Sequence, residues 1–340
     1  MEGRRVEITN KKTETKAGGN QFLTAADTTS KENTANQSQP VTCSEGCTQC
    51  PRNCKKSRLE GDTSSYGYCQ VSVLPRVARA ALHFWEEPCI SGEEGSGTVF
   101  FSGCNLRCVY CQNVEIAAGV RGKTISIERL SEIFLELQEK GANNINLVTP
   151  SHYYPQIKEA LLLVKGKLRI PVIANTSSYD SVEVLREMEG LIDIYLADYK
   201  YASKELAAKY SHAADYPKVA AKALQEMFRQ VGEPVFDEEG RMQRGMIVRH
   251  LLLPGCGEDS RAVLDYLYGT FGDSIYISIM NQYTPLPHVS GYPELNMGIT
   301  EEEYEEIVDY AIELGIENGF IQEGETAEES FIPAFDGEGV

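Results

Sequence analysis

The 340-residue sequence has no long hydrophobic run and comparatively few basic residues. No stretch approaches the roughly 18 consecutive apolar residues that a transmembrane helix needs, and the N-terminus lacks the apolar core of a signal peptide. Lys and Arg number 32 against 50 Asp and Glu, which gives a net charge of −18. Such an acidic surface disfavours contact with a nucleic-acid backbone. We therefore expect a cytoplasmic protein with neither a membrane nor a nucleic-acid partner.

Residues 1–42 contain almost no large apolar side chains and are rich in Thr, Lys, Asn and Ser. Such a segment cannot bury enough apolar surface to offset the entropy that it would lose on ordering. It is predicted to be a disordered polar tail. Hydrophobic residues make up 42% of the whole sequence, which is enough for one large α/β domain with additions.

Cysteine, in contrast, is abundant. The ten cysteines form one group between residues 43 and 69 and a second group at Cys104, Cys108 and Cys111, with Cys89 and Cys256 standing alone. In a large chain without a signal sequence, clustered cysteines are more typical of metal ligands than of disulfides. This usage agrees with a reducing compartment.

The second group has the spacing C-x3-C-x2-C and follows an apolar segment, residues 98–101, that is typical of a buried strand. Thiolates select zinc, copper(I) or iron–sulfur clusters. Closed zinc and iron–sulfur sites take four protein ligands, and no fourth cysteine lies near this trio. The missing ligand indicates an iron left open for a non-protein ligand. A partial structural zinc site is the alternative.

The first group repeats the same spacing at Cys43, Cys47 and Cys50, and Cys54 and Cys69 follow. No strand precedes it, so context rather than spacing separates the two trios. Four thiolates could close around zinc or a second iron–sulfur cluster and so stabilise a module with little core of its own. We predict a candidate second metal site at Cys47, Cys50, Cys54 and Cys69, with Cys43 left over. That these cysteines bind no metal is the alternative.

Strands and helices alternate after the second group. The predicted strands are residues 98–101, 145–149, 170–174, 192–197, 246–253 and 274–280. Segments with helical periodicity follow all but the first, among them residues 127–140 and 300–314, while the apolar residues around 77–85 predict a short helix or an extended packing arm. Repeated β–α units predict a parallel sheet with right-handed crossovers. The predicted fold class is α/β, an open partial (β/α)6 barrel, and a doubly wound sheet is the alternative.

The segment CNLRCVYCQN resembles the cluster-binding motif of the radical S-adenosylmethionine (SAM) superfamily, with Tyr110 as the aromatic residue before the third cysteine. The resemblance implies that Cys104, Cys108 and Cys111 hold a 4Fe–4S cluster whose fourth iron is chelated by SAM. It also implies reductive cleavage of SAM to a 5′-deoxyadenosyl radical, which abstracts hydrogen from a substrate. Because the cofactor carries this chemistry, no catalytic residue beyond the cluster is predicted.

Further segments, EEPCISG, NINLVTPSHY, DIYLADYKY, VRHLLLPG and MNQYTP, look like the uncharacterised branch of radical SAM proteins related to pyruvate formate-lyase activating enzyme. By this resemblance Lys200 contacts SAM and Asp198 helps to hold a monovalent cation, while Arg249 matches the Arg before a Val-Pro-Gly turn. Two positions depart from the pattern. Asn175 replaces an Asp of the cation site, and Thr149-Pro-Ser-His stands where many members have Gly-Gly-Glu.

Polar residues at the carboxyl ends of the predicted strands are the candidate ligands of SAM, because ligands gather there in parallel barrels. Lys200 could pair with the carboxylate of SAM, and hydroxyl or amide groups could bind its ribose. The predicted cofactor-binding residues are Tyr110, Thr149, Ser151, Asn175, Thr176, Asp198, Lys200 and Arg249. His152, His250 and Tyr283 are further candidates for proton transfer, although each is as well suited to packing.

The resemblance divides the chain into a disordered tail at residues 1–42, a cysteine-rich module at 43–95, a radical SAM core domain at 96–300 and a C-terminal helix and tail at 301–340. The substrate, a protein or a small molecule, is open, and activation of a glycyl-radical enzyme is one option. An electron donor such as flavodoxin or ferredoxin is expected. The alternative function is a non-catalytic iron–sulfur or zinc protein that transfers electrons or binds partners.

Overall fold

The computed structural model describes residues 5–7, 46–322 and 333–340. Cys43 and most of the predicted polar tail, residues 1–42, lie outside the described residues, apart from a short strand at residues 5–7. Within the described ranges, no helix is both long enough and apolar enough to cross a lipid bilayer.

One sheet of eleven strands organises the described part of the chain. The strands are β1 (Arg5–Glu7), β2 (Arg76–His83), β3 (Ser96–Phe101), β4 (Lys123–Thr124), β5 (Ile145–Val148), β6 (Val172–Thr176), β7 (Ile194–Asp198), β8 (Val235–Phe236), β9 (Met242–Leu251), β10 (Tyr276–Met280) and β11 (Gly319–Gln322). The helices are α1 (Pro88–Ser91), α2 (Val114–Ala117), α3 (Ile127–Glu139), α4 (Tyr154–Leu163), α5 (Val182–Glu187), α6 (Lys204–Ser211), α7 (Tyr216–Val231), α8 (Gly257–Phe271) and α9 (Glu301–Leu314).

The strand order is β1-β11-β10-β9-β7-β6-β5-β3-β2-β4, and β8 pairs with β9. Strands β3, β5, β6, β7, β9, β10 and β11 are parallel, whereas β1, β2, β4 and β8 pair antiparallel with their neighbours. The parallel strands follow chain order without the reversal that defines a doubly wound sheet. Because β1 and β4 form two separate edges, the barrel stays open. The predicted open α/β barrel is confirmed, and β11 extends it by one parallel strand.

Both faces of the parallel strands are buried. Successive side chains of a strand point to opposite faces, so Ala174 and Ala197 pack into the main core while Ile173 and Leu196 pack into a second cluster. Ile90 of α1 belongs to that second cluster. Such two-sided burial is typical of parallel sheets.

Side-chain caps begin two of the long helices, α3 and α9, whereas α7 and α8 begin without one. The Ser126 hydroxyl accepts a hydrogen bond from the backbone N–H of Arg129 at the start of α3, and Thr300 and Glu303 form a capping box at the start of α9. The helices predicted over 127–140 and 300–314 are confirmed. Of the two alternatives for residues 77–85, the short helix is wrong and the extended segment agrees with β2, which occupies most of that stretch.

Candidate functional site

Cys104, Cys108 and Cys111 lie on a loop that leaves the carboxyl end of β3. Gly103 precedes the loop with φ of +86°, and a Cβ atom built on it would lie 2.6 Å from the carbonyl oxygen of Cys69. Only glycine meets both conditions without strain. The chain therefore turns sharply into the cysteine loop while touching the N-terminal cysteine module.

Hydrogen-bond donors surround the sulfur atoms of this loop. The Cys104 sulfur accepts from two backbone N–H groups of its own loop, both at 3.4 Å, and the Ser211 hydroxyl lies 2.9 Å from the Cys108 sulfur. Burial and, to a smaller extent, the neighbouring Cys108 and Cys104 sulfurs raise the pKa of the Cys111 thiol to about 12. A metal that binds here must therefore displace thiol protons, and the donors stabilise the thiolates that result.

A cavity of about 260 Å³ opens beside the loop at the carboxyl ends of the parallel strands. Cys108 and Cys111 line it, and they are the cysteines among its described lining residues. The strands contribute residues at or near their ends, namely Val148, Asn175, Asp198, Arg249, Leu251 and Met280, and Lys200 follows just beyond β7. Parallel barrels place their ligands at this end of the sheet.

Lys200 and Asp198 form an ion pair on the cavity wall, with 2.7 Å between Nζ and Oδ2. Burial alone would lower the pKa of Lys200, but the charges of Asp198 and Cys108 outweigh it and raise that pKa above its ordinary value. The ammonium group therefore stays charged at neutral pH. It offers the cavity a fixed positive charge, suited to a carboxylate.

Glu86 and Glu87, which the sequence reasoning missed, occupy the interior beside Arg249. The Arg249 guanidinium pairs with both carboxylates, and its Nε lies 3.0 Å from Glu87 Oε1. The Asn146 and Asn175 amides donate to Glu86 Oε1 at 2.8 and 3.3 Å. Arg249 and Asn175 thus line the cavity but already bind protein groups. The two adjacent acidic residues that begin the segment EEPCISG could have indicated a buried partner of opposite charge.

Tyr110 lies on the cavity wall among other tyrosines. Its hydroxyl accepts a hydrogen bond from the Tyr201 hydroxyl at 2.7 Å, and its ring meets those of Tyr210 and Tyr283 edge to face. Thr149, at the end of β5, does not line the cavity but has a φ of +59°, which is unusual for a β-branched residue.

The structure places Ser151 and Thr176 away from the cavity wall in a buried network with Asp180. The two hydroxyl oxygens are 3.3 Å apart, and Thr176 donates to Asp180 Oδ2 at 2.6 Å. Burial raises the pKa of Asp180 to about 6. His152 and His250 are also buried, which lowers their pKa values to about 3 and about 4. Both imidazoles are therefore neutral, and each has a hydrogen bond to a backbone carbonyl.

The N-terminal cysteine module contacts the cysteine loop directly. The Arg52 guanidinium donates to the carbonyls of Asn105, Ser211 and His212, and the Tyr68 hydroxyl donates to the carbonyl of Leu106. These bonds hold the two cysteine groups side by side. Among the described residues, no three Cys, His, Asp or Glu side chains are placed so as to hold one metal ion. This finding applies to the N-terminal cysteine module and to the cysteine loop alike.

Comparison with known proteins finds a family match for the region that contains the cysteine loop. The family model described as "Radical SAM superfamily" matches residues 98–237. An uncharacterized protein of Methanocaldococcus jannaschii, MJ0674, is 27% identical over 280 residues, which cover 78% of this chain and 74% of that protein.

Two solved structures show limited similarity. Methylornithine synthase (PylB) matches with a TM-score of 0.47 and 15% identity over 72% of this chain and 65% of its own. Streptococcus suis SuiB bound to S-adenosylmethionine matches with a TM-score of 0.45 and 15% identity over 66% of this chain and 49% of its own. The chain thus spans about half the length of SuiB. Residues 98–237, which include the cysteine loop, are thus similar to the radical SAM superfamily.

Proposed function

We propose that this chain is a radical SAM enzyme that binds a 4Fe–4S cluster through Cys104, Cys108 and Cys111 and binds SAM in the adjoining cavity. One observation carries the proposal: Cys108, Cys111 and Lys200 line the same cavity at the carboxyl ends of the parallel strands. The loop supplies three thiols, two of which line the cavity, and the described lining residues include no other cysteine. Three thiolate ligands fit a 4Fe–4S cluster in which one iron has no protein ligand. When bound, cluster and SAM supply the reductive cleavage that yields a 5′-deoxyadenosyl radical.

The residues of the chain would bind and orient these groups. Loop N–H groups and the Ser211 hydroxyl stabilise the cluster thiolates. The Lys200 ammonium, held by Asp198, would pair with the carboxylate of SAM, while Tyr110 and Asn175 form part of the same wall.

Other predicted ligands would act less directly. Arg249 would hold the Glu86–Glu87 segment against the cavity rather than touch SAM, because both carboxylates occupy its guanidinium. Ser151 and Thr176 would support the strand ends from behind, through Asp180. Thr149, next to the backbone of Asn175, would shape the loop that replaces the Gly-Gly-Glu segment.

The substrate and the electron donor are narrower proposals. The Asp198–Lys200 pair, which matches the activating-enzyme pattern, supports hydrogen abstraction from a protein or small-molecule substrate, with activation of a glycyl-radical enzyme as one form of it. A flavodoxin or ferredoxin would supply the electron in the cytoplasm. None of this requires a metal in the N-terminal cysteine module.

The test is SAM cleavage by the whole chain. Anaerobically reconstituted protein with dithionite and SAM should release 5′-deoxyadenosine, and Cys108→Ala should abolish the release because the cluster loses a ligand. Cys256→Ala, at a cysteine outside the loop and the cavity, should keep it. Reducible iron without SAM binding or cleavage would contradict the proposal and favour a non-catalytic electron carrier.

A further inference from the structure

Arg58 is a cation buried inside the N-terminal cysteine module, with 0% of its surface exposed. Its guanidinium donates to the backbone carbonyls of Val71, Ser72 and His152 at 3.2, 2.7 and 2.9 Å. The remaining acceptor is the sulfur of Cys47, 3.8 Å from Nη1. Its hydrogen bonds are thus satisfied by uncharged carbonyls and one sulfur.

No carboxylate in the described part of the chain forms an ion pair with Arg58. A guanidinium stays protonated in proteins, and a buried charge is strongly unfavourable unless an opposite charge accompanies it. Within the described ranges, none of the ion pairs includes Arg58. Cys69, Tyr153 and Cys47 act on it electrostatically. Burial raises the pKa of the Tyr153 phenol, which therefore stays neutral and faces the guanidinium with its ring at 5.3 Å. The two thiols are then the groups among these three that can supply a full negative charge.

Four cysteines meet at this place. Cys47, Cys54 and Cys69 all act electrostatically on Cys50, and three of the four are buried. The described cysteines form no disulfide with one another. Neutral thiols would leave Arg58 uncompensated, whereas metal-bound thiolates would supply the missing negative charge.

The backbone of the module is bent tightly around these sulfurs. Asn53, Lys55, Arg58 and Gln70 have positive φ values, and they are half of the eight such non-glycine residues in the described chain. Conformations of this kind persist only where the surroundings impose them. The module has few apolar residues that could impose these conformations by packing. Metal binding is the usual source of order in such small loop-rich segments.

We propose that Cys47, Cys50, Cys54 and Cys69 bind a metal centre as four thiolates and that Arg58 is its buried counter-ion. Four thiol protons leave to solvent on binding, so that a zinc ion or a 4Fe–4S cluster, each with charge +2, gives a complex of charge −2. The Arg58 guanidinium offsets half of that charge. Cys50 also lines an open groove of about 1200 Å³, which gives a metal access from solvent.

The experiment isolates this site from the cysteine loop. A chain with Cys104, Cys108 and Cys111 all changed to Ala is purified without oxygen, and its metal content and visible absorption are measured. Retained metal supports the proposal: about four iron atoms with charge-transfer absorption identify a cluster, and roughly one zinc ion identifies a zinc site. Adding Cys50→Ala and Cys69→Ala should remove the metal, whereas adding Cys256→Ala should not.

Three results would overturn the metal site: no bound metal in the triple variant, metal that survives the loss of Cys50 and Cys69, or a disulfide among the four cysteines in the anaerobic protein. The failure of this site and the failure of SAM cleavage are separate outcomes, because the triple variant has no SAM-dependent activity to lose.

The role of Arg58 is tested by the release of metal to a chelator. Arg58→Met removes the charge and should speed metal loss by about 10- to 100-fold, the range found when groups that support metal ligands are removed. Arg58→Lys keeps the charge and should recover part of the difference even if the methionine variant folds poorly. An unchanged release rate in Arg58→Met would exclude the counter-ion role.

Discussion

Single residues at the site differ in how well their positions could be predicted. The spacing of Cys104, Cys108 and Cys111 and of Asp198 and Lys200 is local, and the structure brings Lys200 to the cavity lined by two of these cysteines. Asn175 and Thr176 are adjacent on β6, so their side chains point to opposite faces. Asn175 reaches the cavity and Thr176 the buried network behind it. A sequence places both residues at a strand end but does not say which one faces inward.

Lys200 should be the residue whose loss most weakens SAM binding without removing the cluster. Lys200→Met deletes the ammonium group that faces the cavity and leaves Asp198 there as an unpaired negative charge. We expect SAM affinity to fall by at least about 10-fold, which corresponds to roughly 1.4 kcal/mol. The affinity is measured by titrating SAM into the anaerobic, cluster-loaded protein while recording its electron paramagnetic resonance spectrum.

Lys204→Met provides the matched control. That lysine is exposed and paired with Glu205 at the start of α6, away from the cavity lining. It should leave SAM affinity unchanged. Equal affinities in the two variants would exclude the carboxylate-binding role of Lys200.

At the scale of the element, β2 shows why the sequence of residues 77–85 could not distinguish a short helix from an extended segment. Its pairing with β3 shifts register between Val77 and Arg79, so buried side chains do not alternate with exposed ones along the strand. A β-bulge of this kind removes the period of two by which a strand is recognised. The spacing of its apolar residues therefore fitted a short helix as well as an extended segment, and its hydrogen bonds belong to a sheet.

The outer edge of β2 is covered by the segment of residues 333–340. Ala80 donates its N–H to the carbonyl of Glu338 at 2.9 Å, and Gly337 donates to the carbonyl of Ala78 at 3.1 Å. Deleting this segment should expose an unpaired strand edge and cause self-association. Size-exclusion chromatography with light scattering measures the effect as an increase in mass.

Arg79→Gln separates the backbone contact from the ion pairs of Arg79 with Asp336 and Glu338. It removes these two surface ion pairs, each worth at most about 1 kcal/mol, and leaves the backbone hydrogen bonds in place. We expect this variant to stay in the oligomeric state of the unmodified protein. Self-association of Arg79→Gln but not of the deletion would contradict the edge-covering role.

For the whole molecule, the sequence predicted the β–α alternation but not the contacts between distant segments. Arg249 meets Glu87 across 162 residues, and Arg52 meets Ser211 across 159. Hydrophobic periodicity reports which face of an element is buried, but it does not report which remote charged group lies opposite. The open barrel and its cysteine loop were therefore foreseeable, and the ionic contacts that join them to the N-terminal module were not.

Because Gly103 packs against the backbone of Cys69, we expect a change at Gly103 to disturb both cysteine groups. Gly103→Ala places a Cβ atom 2.6 Å from the Cys69 carbonyl oxygen, at a φ of +86°. We expect it to lower the iron content of the loop and to destabilise the chain by about 1–3 kcal/mol or more. Iron analysis and urea unfolding of the reconstituted protein measure the two effects.

Gly141→Ala is the control for backbone strain, because Gly141 has the same φ of +86° but nothing within 4 Å of the added Cβ atom. It should cost stability and leave the iron content unchanged. If both variants keep their iron equally, the two cysteine groups are not coupled through this contact.

The size of the cavity bears on what the chain can act upon. About 260 Å³ lies just below the range of about 300–1,000 Å³ in which proteins enclose small-molecule ligands. Under the proposed function, SAM and the reacting position of the substrate would have to share this space. The fit of that one position beside SAM would then select the substrate.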